Sequence, residues 1–423
     1  MTPEVKKRIE QIQQGIVPEG YKKTKTDIVP ADWKESPIGK YIREYNEKTT
    51  IPNQYPVLTS ARTGLMLQSD YYSNRQVTTE DNVGYNVLPY GYITFRSRSD
   101  DGRFRFNENR IIERGVISYF YPVFSFSEEV CHEYVLYLLN FSIYRRMYPY
   151  AEGTAQQVLS LKKLGQLKYS LPLVAEQKKI AEILSTQDKA IELQERKIDE
   201  LKRFKKGCLE KMFPRKGQKV PEKRFPGFTD DWEQRKWLDT VDISTEMVDP
   251  KTGKYDNLPH VAPGNIESFT GKIYDNVKLV KDENLISGKF HFYDGDIIYG
   301  KINPQLGKYV FARFEGLTSA DAYVLNAKNG TTQEYLYSIL QTKDFYDYSV
   351  SVSKRSGMPK INRDELNAYC YLAPSEQEQK QIGTMFLHLD NLITLHQRKL
   401  EEMKKQKKAL MQLLLTGIVR VKA

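Results

Sequence analysis

Arginine is concentrated in one short stretch of the first half of the chain. A guanidinium presents a planar fork of N–H donors that fits phosphate oxygens or the O6 and N7 edge of guanine. Six arginines are interleaved there with Phe104 and Phe106: Arg96, Arg98, Arg103, Arg105, Arg110 and Arg114. Alternating arginines also form ordinary solvated strand faces, so that alternative stays open for each single residue. The cluster as a whole predicts a surface that binds nucleic acid.

Two flanking segments add tyrosine, arginine and glutamine to this cluster. Glutamine can pair bidentately with N6 and N7 of adenine, and loops on a rigid scaffold are where residues that contact bases are expected. The candidate DNA-binding residues of the first half are Arg62, Tyr71, Tyr72, Arg75, Arg96, Arg98, Arg103, Arg105, Arg145, Arg146, Gln156 and Gln157.

The second half offers basic and amide side chains in two segments rich in glycine and proline, GKINPQLGK and SVSKRSGMPKINRDEL. Both segments are also explained as turns between regular elements. The candidate DNA-binding residues of this half are His260, Asn265, Lys301, Asn303, Gln305, Lys308, Lys354, Arg355 and Lys360.

Motifs for catalysis are missing from the sequence. There is no phosphate-binding loop ending in Gly-Lys-Ser/Thr, no HExxH helix and no GxSxG elbow. The Asp/Asn-Pro-Pro-Tyr/Phe tetrapeptide of adenine-N6 methyltransferases is also absent, and Cys131, Cys208 and Cys370 form no CxxC pair. We therefore expect a non-catalytic chain that binds no cofactor or metal itself.

Composition limits the class of protein. The chain has 423 residues, 40% hydrophobic residues and a net charge of +10, enough for two or three folded domains with a mild preference for polyanions. No stretch of about 18 apolar residues occurs, and the first residues lack an apolar signal core. We expect a cytoplasmic protein with no membrane partner. Most of the excess positive charge lies on two helical regions, so net charge alone adds little to the case for DNA.

The elements that must position these residues occur twice in the chain. The segment PLVAEQKKIAEILSTQDKAIELQERKIDELKRFKKG begins at Pro172, and PSEQEQKQIGTMFLHLDNLITLHQRKLEEMKKQKKA begins at Pro374, 202 residues later. The repeat extends to apolar segments that begin with glycine, GVISYFYPVF at Gly115 and GLTSADAYVL at Gly316. A duplicated order of variable domain and long helix follows.

Both repeated segments are predicted helices with apolar heptads, which favours a coiled coil. About 39 residues at 1.5 Å each give a helix about 58 Å long. Gln194 and His396 interrupt the apolar seam at matching positions. They are either tolerated edge residues or a polar pair that sets the register.

The predicted fold class is α+β: two mixed α/β domains joined by two long antiparallel coiled-coil helices, with a pseudo-two-fold internal repeat. Strands are expected in runs rich in Tyr, Phe, Val and Ile, such as VISYFYPVF from Val116. A helix is expected after the strands of each domain, EEVCHEYVLYLLNFSIYRRMY in the first and TQEYLYSILQTKDFYDYS in the second. The predicted segments are an N-terminal helix and lead-in (1–32), a first variable domain (33–171), a first spacer helix (172–216), a linker (217–231), a second variable domain (232–373) and a second spacer helix (374–423).

This plan resembles the specificity subunit of type I restriction-modification enzymes. The two repeated helices carry the resemblance, together with IVPADW before Trp33, GTAQQVLSLKKL from Gly153 and GDIIYGKINPQLGK from Gly295. The resemblance implies that each variable domain is a target recognition domain that reads one half of a split double-stranded DNA sequence. Because the two sets of loops differ, that target is expected to be asymmetric.

The resemblance also implies the partners. The helices would set the unread gap and dock two methyltransferase subunits, which bind S-adenosylmethionine and methylate adenine. Two motor/nuclease subunits using ATP and Mg would complete the complex. The family assigns no particular base-contacting residues, so the candidates above depend on side-chain chemistry alone. The alternative from another class is a non-catalytic coiled-coil scaffold with two protein-binding modules.

Overall fold

The computed structural model describes residues 2–72, 81–147, 157–354 and 357–421. The chain divides into two compact units, of which unit 1 comprises Met1–Glu192 and Glu402–Ala423 and unit 2 comprises Leu193–Glu401. The last part of the chain therefore folds with the first half of the sequence.

Short strands make up most of unit 1 because its sequence breaks every few residues at Gly, Pro, Asn or Asp. The described strands are β1 (Tyr21–Lys23), β2 (Ile28–Pro30), β3 (Lys34–Pro37), β4 (Ile42–Tyr45), β5 (Leu58–Ala61), β6 (Gly64–Leu67), β7 (Asn86–Pro89), β8 (Ile93–Phe95), β9 (Arg98–Ser99), β10 (Phe106–Glu108), β11 (Arg114–Ile117), β12 (Val123–Phe126), β13 (Gln157–Val158) and β14 (Lys168–Leu171).

The central sheet of unit 1 is antiparallel, with strand order β10-β8-β12-β4. Its register places Phe106 opposite Phe95 and Phe124 opposite Ile93. Five two-stranded pairs surround it: β7–β11, β5–β6, β9–β13, β3–β14 and β1–β2.

Helices cover this sheet and complete the core of unit 1. The three buried rings of Phe95, Phe106 and Phe124 pack together with centroids 4.8 to 6.4 Å apart. Leu184 and Leu414, from the two long helices, join the same hydrophobic cluster. The helices of unit 1 are α1 (Pro3–Gln13), α2 (Gln68–Tyr71), α3 (His132–Met147), α4 (Leu161–Gln166) and the first half of α5 (Val174–Lys211), of which α1 contributes no buried residue.

Unit 2 repeats this sheet with other strands. The described strands are β15 (Glu233–Lys236), β16 (Val241–Ile243), β17 (Met247–Val248), β18 (Pro259–Val261), β19 (Lys278–Leu279), β20 (Lys289–Phe292), β21 (Ile297–Gly300), β22 (Tyr309–Phe311), β23 (Gly316–Thr318), β24 (Ala322–Ala327) and β25 (Cys370–Ala373).

The strand order β16-β24-β21-β22 of unit 2 corresponds to β4-β12-β8-β10 of unit 1. A second sheet has the order β17-β20-β23-β18-β19, and β15 pairs with β25. The core combines Trp237, stacked on Phe345 with centroids 5.5 Å apart, with Ile382 and Phe386 of the last long helix. The helices of unit 2 are α6 (Trp237–Thr240), α7 (Gln333–Ile339), α8 (Lys343–Val352), α9 (Arg363–Asn367) and most of α10 (Glu376–Leu415).

The two long helices are confirmed, with 38 residues in α5 and 40 in α10. Within unit 2 they run antiparallel: Gln194 contacts His396, whereas the later Lys205 contacts the earlier Asp390. Leu184, Ile191 and Ile198 on α5 and Phe386, Ile393 and Leu400 on α10 are buried and recur every seven residues.

Two predicted elements are wrong in detail. The segment TQEYLYSILQTKDFYDYS is two helices, not one, because the hydroxyl of Thr342 accepts a hydrogen bond from the N–H of Phe345 and starts α8 anew. The run VISYFYPVF is likewise two strands, β11 and β12, joined by a turn at residues 118–121.

Candidate nucleic-acid interface

The end of strand β8 carries the exposed arginines of unit 1. Arg96 follows the strand directly and Arg98 begins β9, and both side chains are exposed. Within the described part of the chain, neither guanidinium contacts a carboxylate. Their positive charge is therefore available to an external anion.

Asp101 organises the loop beside these arginines. Its Oδ1 accepts hydrogen bonds from the hydroxyl of Ser99 at 3.0 Å and from the N–H of Arg103 at 3.1 Å. The same oxygen lies 2.6 Å from Nη2 of Arg62, which projects from the turn between β5 and β6. One carboxylate thus brings Arg62 and Arg103 to the place where β8 ends.

Aromatic rings complete this surface. The guanidinium of Arg98 lies 4.8 Å from the centre of the Phe120 ring. Burial raises the pKa of the nearby Tyr121, with Arg96 acting to lower it and Tyr72 to raise it. We call the set Arg62, Tyr72, Arg96, Arg98, Arg103 and Phe120 the arginine face.

Two arginines of the same sequence cluster lie at the other end of the strand. Arg110 is 2.9 Å from Glu108 Oε1, and Arg114 pairs with Glu47. Because carboxylates neutralise Arg110 and Arg114, these two side chains are less able than Arg96 and Arg98 to bind a phosphate or a base. Sequence spacing does not reveal this division, since Glu133, which also lies 3.4 Å from Arg110, and Glu47 come from distant parts of the chain.

The remaining candidates of unit 1 are dispersed. Arg146 pairs with Asp27 and donates to the carbonyl of Lys168 at 2.7 Å, so its guanidinium is engaged within the fold. Arg105 and Tyr71 are exposed, and Gln157 pairs through β13 with the strand that carries Arg98. Arg75, Gln156 and the side chain of Arg145 lie outside what the structure describes.

Unit 2 brings lysines and amides together on two adjoining segments. Ile302 bridges to Lys360, and the N–H of Asn303 donates to the carbonyl of Pro359 at 2.8 Å. Desolvation lowers the pKa of Lys301; Lys360 and Arg363 act in the same direction, and Asp321 opposes them. We call Lys301, Asn303, Gln305, Lys354 and Lys360 the lysine loops.

The predicted turn at GKINPQLGK is real and tight. Asn303 has φ of 50° and Gly307 has φ of 55°, the left-handed region that asparagine and glycine tolerate best. Gln305, between them, is exposed and donates to the side chain of Asn303 at 3.3 Å.

Other candidates of unit 2 serve the fold. His260 is 5% exposed, with Nδ1 at 2.8 Å from Glu283 Oε2, so we expect it to position β18 and not to reach DNA. Asn265 accepts from the N–H of Ala262 and donates to Asn276, and Lys308 donates to the carbonyl of Ile266. Arg355 lies outside the described residues.

Gln194 and His396, the polar pair predicted on the long helices, are in contact. Nε2 of Gln194 lies 2.8 Å from Nδ1 of His396 and donates to its carbonyl at 2.8 Å. Gln194 is buried, so both of its contacts replace water. A role in setting the register stays a prediction.

Some polar contacts of the helices were not predicted from sequence. Asp390, buried on α10, pairs with Lys205, and Asp188 on α5 pairs with Lys407. The repeat itself holds the signal, because these four residues occupy matching positions 202 residues apart. Lys205 falls at a heptad position that is usually apolar, and the heptad pattern does not indicate which residue pairs with it.

Metal and membrane sites can be assessed only for the described residues. Among them, no three His, Cys, Asp or Glu side chains are grouped to hold a metal ion. No helix of that part of the chain is long and apolar enough to cross a membrane.

Two similar units that each expose basic side chains favour a protein that binds DNA, and comparison with known proteins agrees. The family model described as type I restriction modification DNA specificity domain matches twice, at residues 22–203 and 229–405. The chain belongs to this family and is a specificity subunit of a type I restriction-modification system.

Similar proteins come from distant organisms. The EcoDI specificity subunit of Escherichia coli is 25% identical over 385 residues, covering 84% of this chain and 80% of that protein. The putative MjaX specificity subunit of Methanocaldococcus jannaschii is 24% identical over 449 residues, covering 96% and 97%. A crystal structure of the type I system S subunit from M. genitalium has the same fold, with a TM-score of 0.60 at 13% identity, over 94% of this chain and 99% of that one.

Proposed function

We propose that each unit reads one half of an asymmetric bipartite DNA target, unit 1 through the arginine face and unit 2 through the lysine loops. The observation that carries this proposal is the recurrence of one sheet with different exposed side chains at the same strand ends. A repeated scaffold fixes where two readers lie, and dissimilar loops give each its own base preference.

The two surfaces differ in the bonds that they can make. Guanidinium forks suit guanine O6 and N7 or phosphate, whereas the loop around Gln305 presents an amide that can pair with adenine. Lysine contributes a point charge that binds phosphate without fixing an orientation. We therefore expect the two half-sites to have different sequences.

The experiment is to exchange residues 33–170 for the corresponding domain of another family member and to sequence the methylated bases of a host that also makes the methyltransferase. One half of the methylated motif should change while the other half and the gap stay the same. Changes in both halves, or in neither, would contradict a modular reader.

The long helices would set the gap between the half-sites. Inserting one heptad at matching positions of α5 and α10 lengthens the pair by about 10 Å, which corresponds to about three base pairs of duplex. The methylated motif should then contain a longer gap with the same half-sites. An unchanged gap would show that the helices do not measure it.

The same helices would dock the two methyltransferase subunits. Leu193 and Phe204 on α5 and Leu395 on α10 are 58% to 63% exposed, which is unusual for large apolar side chains unless a partner covers them. Phe204→Ser should reduce the methyltransferase that copurifies, whereas Lys206→Ser on the same helix should not.

In this proposal the chain catalyses nothing and binds no cofactor. S-adenosylmethionine would bind to the methyltransferase subunits, and ATP and Mg to two motor/nuclease subunits. Methyl transfer requires the target adenine to leave the base stack, so the specificity subunit must hold the duplex on both sides of that base. Two readers joined by a stiff spacer supply this grip.

A further inference from the structure

The turn between β11 and β12 carries two exposed aromatic rings. Tyr119 is 54% exposed and Phe120 is 45% exposed, and their centroids are 4.0 Å apart. Exposed aromatic pairs at a loop tip are costly to leave in water and are common where a partner is bound.

Hydrogen bonds from two side chains to backbone carbonyls hold the turn in place. The hydroxyl of Ser97 donates to the carbonyl of Phe120 at 2.7 Å, and the side chain of Asn86 donates to the carbonyl of Tyr121 at 2.8 Å. The Tyr85 ring lies edge-on to Tyr119 with centroids 5.9 Å apart. Because the rings are already ordered, binding them to a partner costs little conformational entropy.

The chemistry around the turn favours nucleic acid as that partner. Arg98 lies over Phe120, and neither Arg98 nor Arg96 contacts a carboxylate among the described residues. A protein partner would have to supply acidic groups to this corner, whereas DNA supplies phosphates next to base faces. Stacking on aromatic rings beside cations is how proteins hold unstacked bases.

Unit 2 has the same turn without the rings. Its turn between β23 and β24 places Ala320 and Asp321 where unit 1 has Tyr119 and Phe120. The equivalence is structural: the N–H of Phe120 lies 3.5 Å from the Ser118 hydroxyl, and the N–H of Asp321 lies 3.2 Å from the Ser319 hydroxyl. The carbonyl of Asp321 accepts from the loop after β21, as that of Phe120 accepts from the loop after β8.

We infer that Tyr119 and Phe120 pack against a base step of the half-site read by unit 1 and partly unstack it, and that unit 2 binds its half-site without such a wedge. Apolar side chains inserted at a base step are a known way to open a duplex. The inference rests on the proposed function, because it assigns the turn to the DNA that unit 1 reads.

The test uses the full-length chain assembled with the methyltransferase of its system and a duplex that carries the methylated motif found in the host. The fluorescent adenine analogue 2-aminopurine, which brightens when it is unstacked, replaces single bases other than the methylated adenines. Bright positions should occur in the half-site of unit 1. Tyr119→Ala with Phe120→Ala should abolish them and weaken binding about tenfold.

Tyr90→Ala is the matched control. Tyr90 is 53% exposed and lies under Arg110 at the other end of β8, so it is, like Phe120, an exposed ring beside a guanidinium group. This variant should keep both the fluorescence and the affinity. Bright positions that survive in the double alanine variant would overturn the inference.

A reciprocal graft keeps the test decisive if the alanine variant misfolds. Ala320→Tyr with Asp321→Phe should create a bright position in the half-site of unit 2, and its absence from a folded graft would count against the wedge. A methylated motif without two separated halves would instead refute the proposed function, which is a distinguishable result.

Discussion

Glu176 in unit 1 and Glu378 in unit 2 occupy the first turns of the two long helices, and each is held by an arginine through two hydrogen bonds. Arg420 binds Glu176 at 2.8 and 2.7 Å, and Arg224 binds Glu378 at 2.9 and 2.7 Å. Both carboxylates are buried. A helix N-terminus favours negative charge, and the bidentate arginine stabilises it further.

The next residue of each helix repeats in the same way. Gln177 accepts from the N–H of Cys131 at 2.9 Å and donates to the carbonyl of Pro172, and Gln379 accepts from the N–H of Thr332 at 3.0 Å and donates to that of Pro374. These buried amides tie each long helix to the helix that follows the sheet. Both units therefore use the same contacts to attach the long helix to the domain that contains the sheet.

The turns between β11 and β12 and between β23 and β24 carry different side chains. Tyr119 and Phe120 of unit 1 lie where unit 2 has Ala320 and Asp321, and arginines are replaced by lysines and amides. The repeat therefore preserves the contacts between each sheet and its long helix, whereas the exposed turns have diverged. A substitution should accordingly affect stability when it falls on the shared contacts and sequence preference when it falls on the turns.

The largest expected difference is in stability, between variants of two ion pairs that join α5 and α10. Lys205 and Asp390 are 9% and 12% exposed, whereas Lys407 and Asp188 are 25% and 38% exposed. Lys205→Met leaves a buried carboxylate unpaired and should lower the free energy of unfolding by about 3 kcal/mol. Lys407→Met should cost less than about 1 kcal/mol.

Urea unfolding followed by tryptophan fluorescence measures this difference, since Trp232 and Trp237 both lie in unit 2 and Trp33 reports on unit 1. Equal losses in the two variants would mean that burial does not distinguish the pairs. Lys206→Met, on the same helix as Lys205 and exposed, is the control for a change of helix composition.

The next largest effect is expected in DNA binding, where substitutions in the two units should have different consequences. Arg96→Ala with Arg98→Ala removes two guanidinium groups that contact no carboxylate among the described residues. It should weaken binding to a duplex with the methylated motif by about 2 kcal/mol, relaxing the half-site of unit 1 only. Lys301→Ala with Lys360→Ala should weaken binding with less change in sequence preference, because lysine binds phosphate as a point charge. Competition binding with single-base variants of each half-site measures both effects.

Loss of preference at both half-sites from either double variant would show that the units do not read independently. Arg110→Ala is the control in unit 1, since Glu108 and Glu133 already neutralise that side chain.

The smallest expected effect is on how the stability of unit 2 depends on pH. Burial raises the pKa of Asp390 above its usual 3.8, with Lys205 opposing the increase. The folded state thus holds this proton more tightly than the unfolded state, so the stability contributed by the protonated group is present below pH 3.8 and is lost as the pH rises through the raised pKa.

The Asp390→Asn variant lacks the titrating carboxyl group and therefore this pH dependence of stability. The natural chain loses stability as Asp390 ionises, and the variant does not. The free energy of unfolding of the variant, relative to that of the natural chain, should therefore increase from acid to neutral pH. Thermal unfolding at several pH values measures the difference, with Asp188→Asn as the more exposed counterpart. A difference that stays constant across that range would mean that folding leaves the pKa of Asp390 unchanged.

The long helices could be predicted because heptad periodicity is a local property of the sequence. Both α5 and α10 lie within the predicted segments 172–216 and 374–423. The split between α7 and α8 was missed because one threonine cap decides it. The turn at 118–121 was missed because an unbroken apolar run looks like a single strand.

The sequence by itself determined the duplication, the long helices, the family and which residue types are available to contact DNA, since these depend on order along the chain. Only the tertiary structure decided which arginines are neutralised, that His260 is buried and that Tyr119 and Phe120 share a corner with Arg98. Charge pairing and burial depend on residues far apart in sequence, and the packing of the sheet alone brings Glu47 to Arg114 and leaves Arg96 exposed.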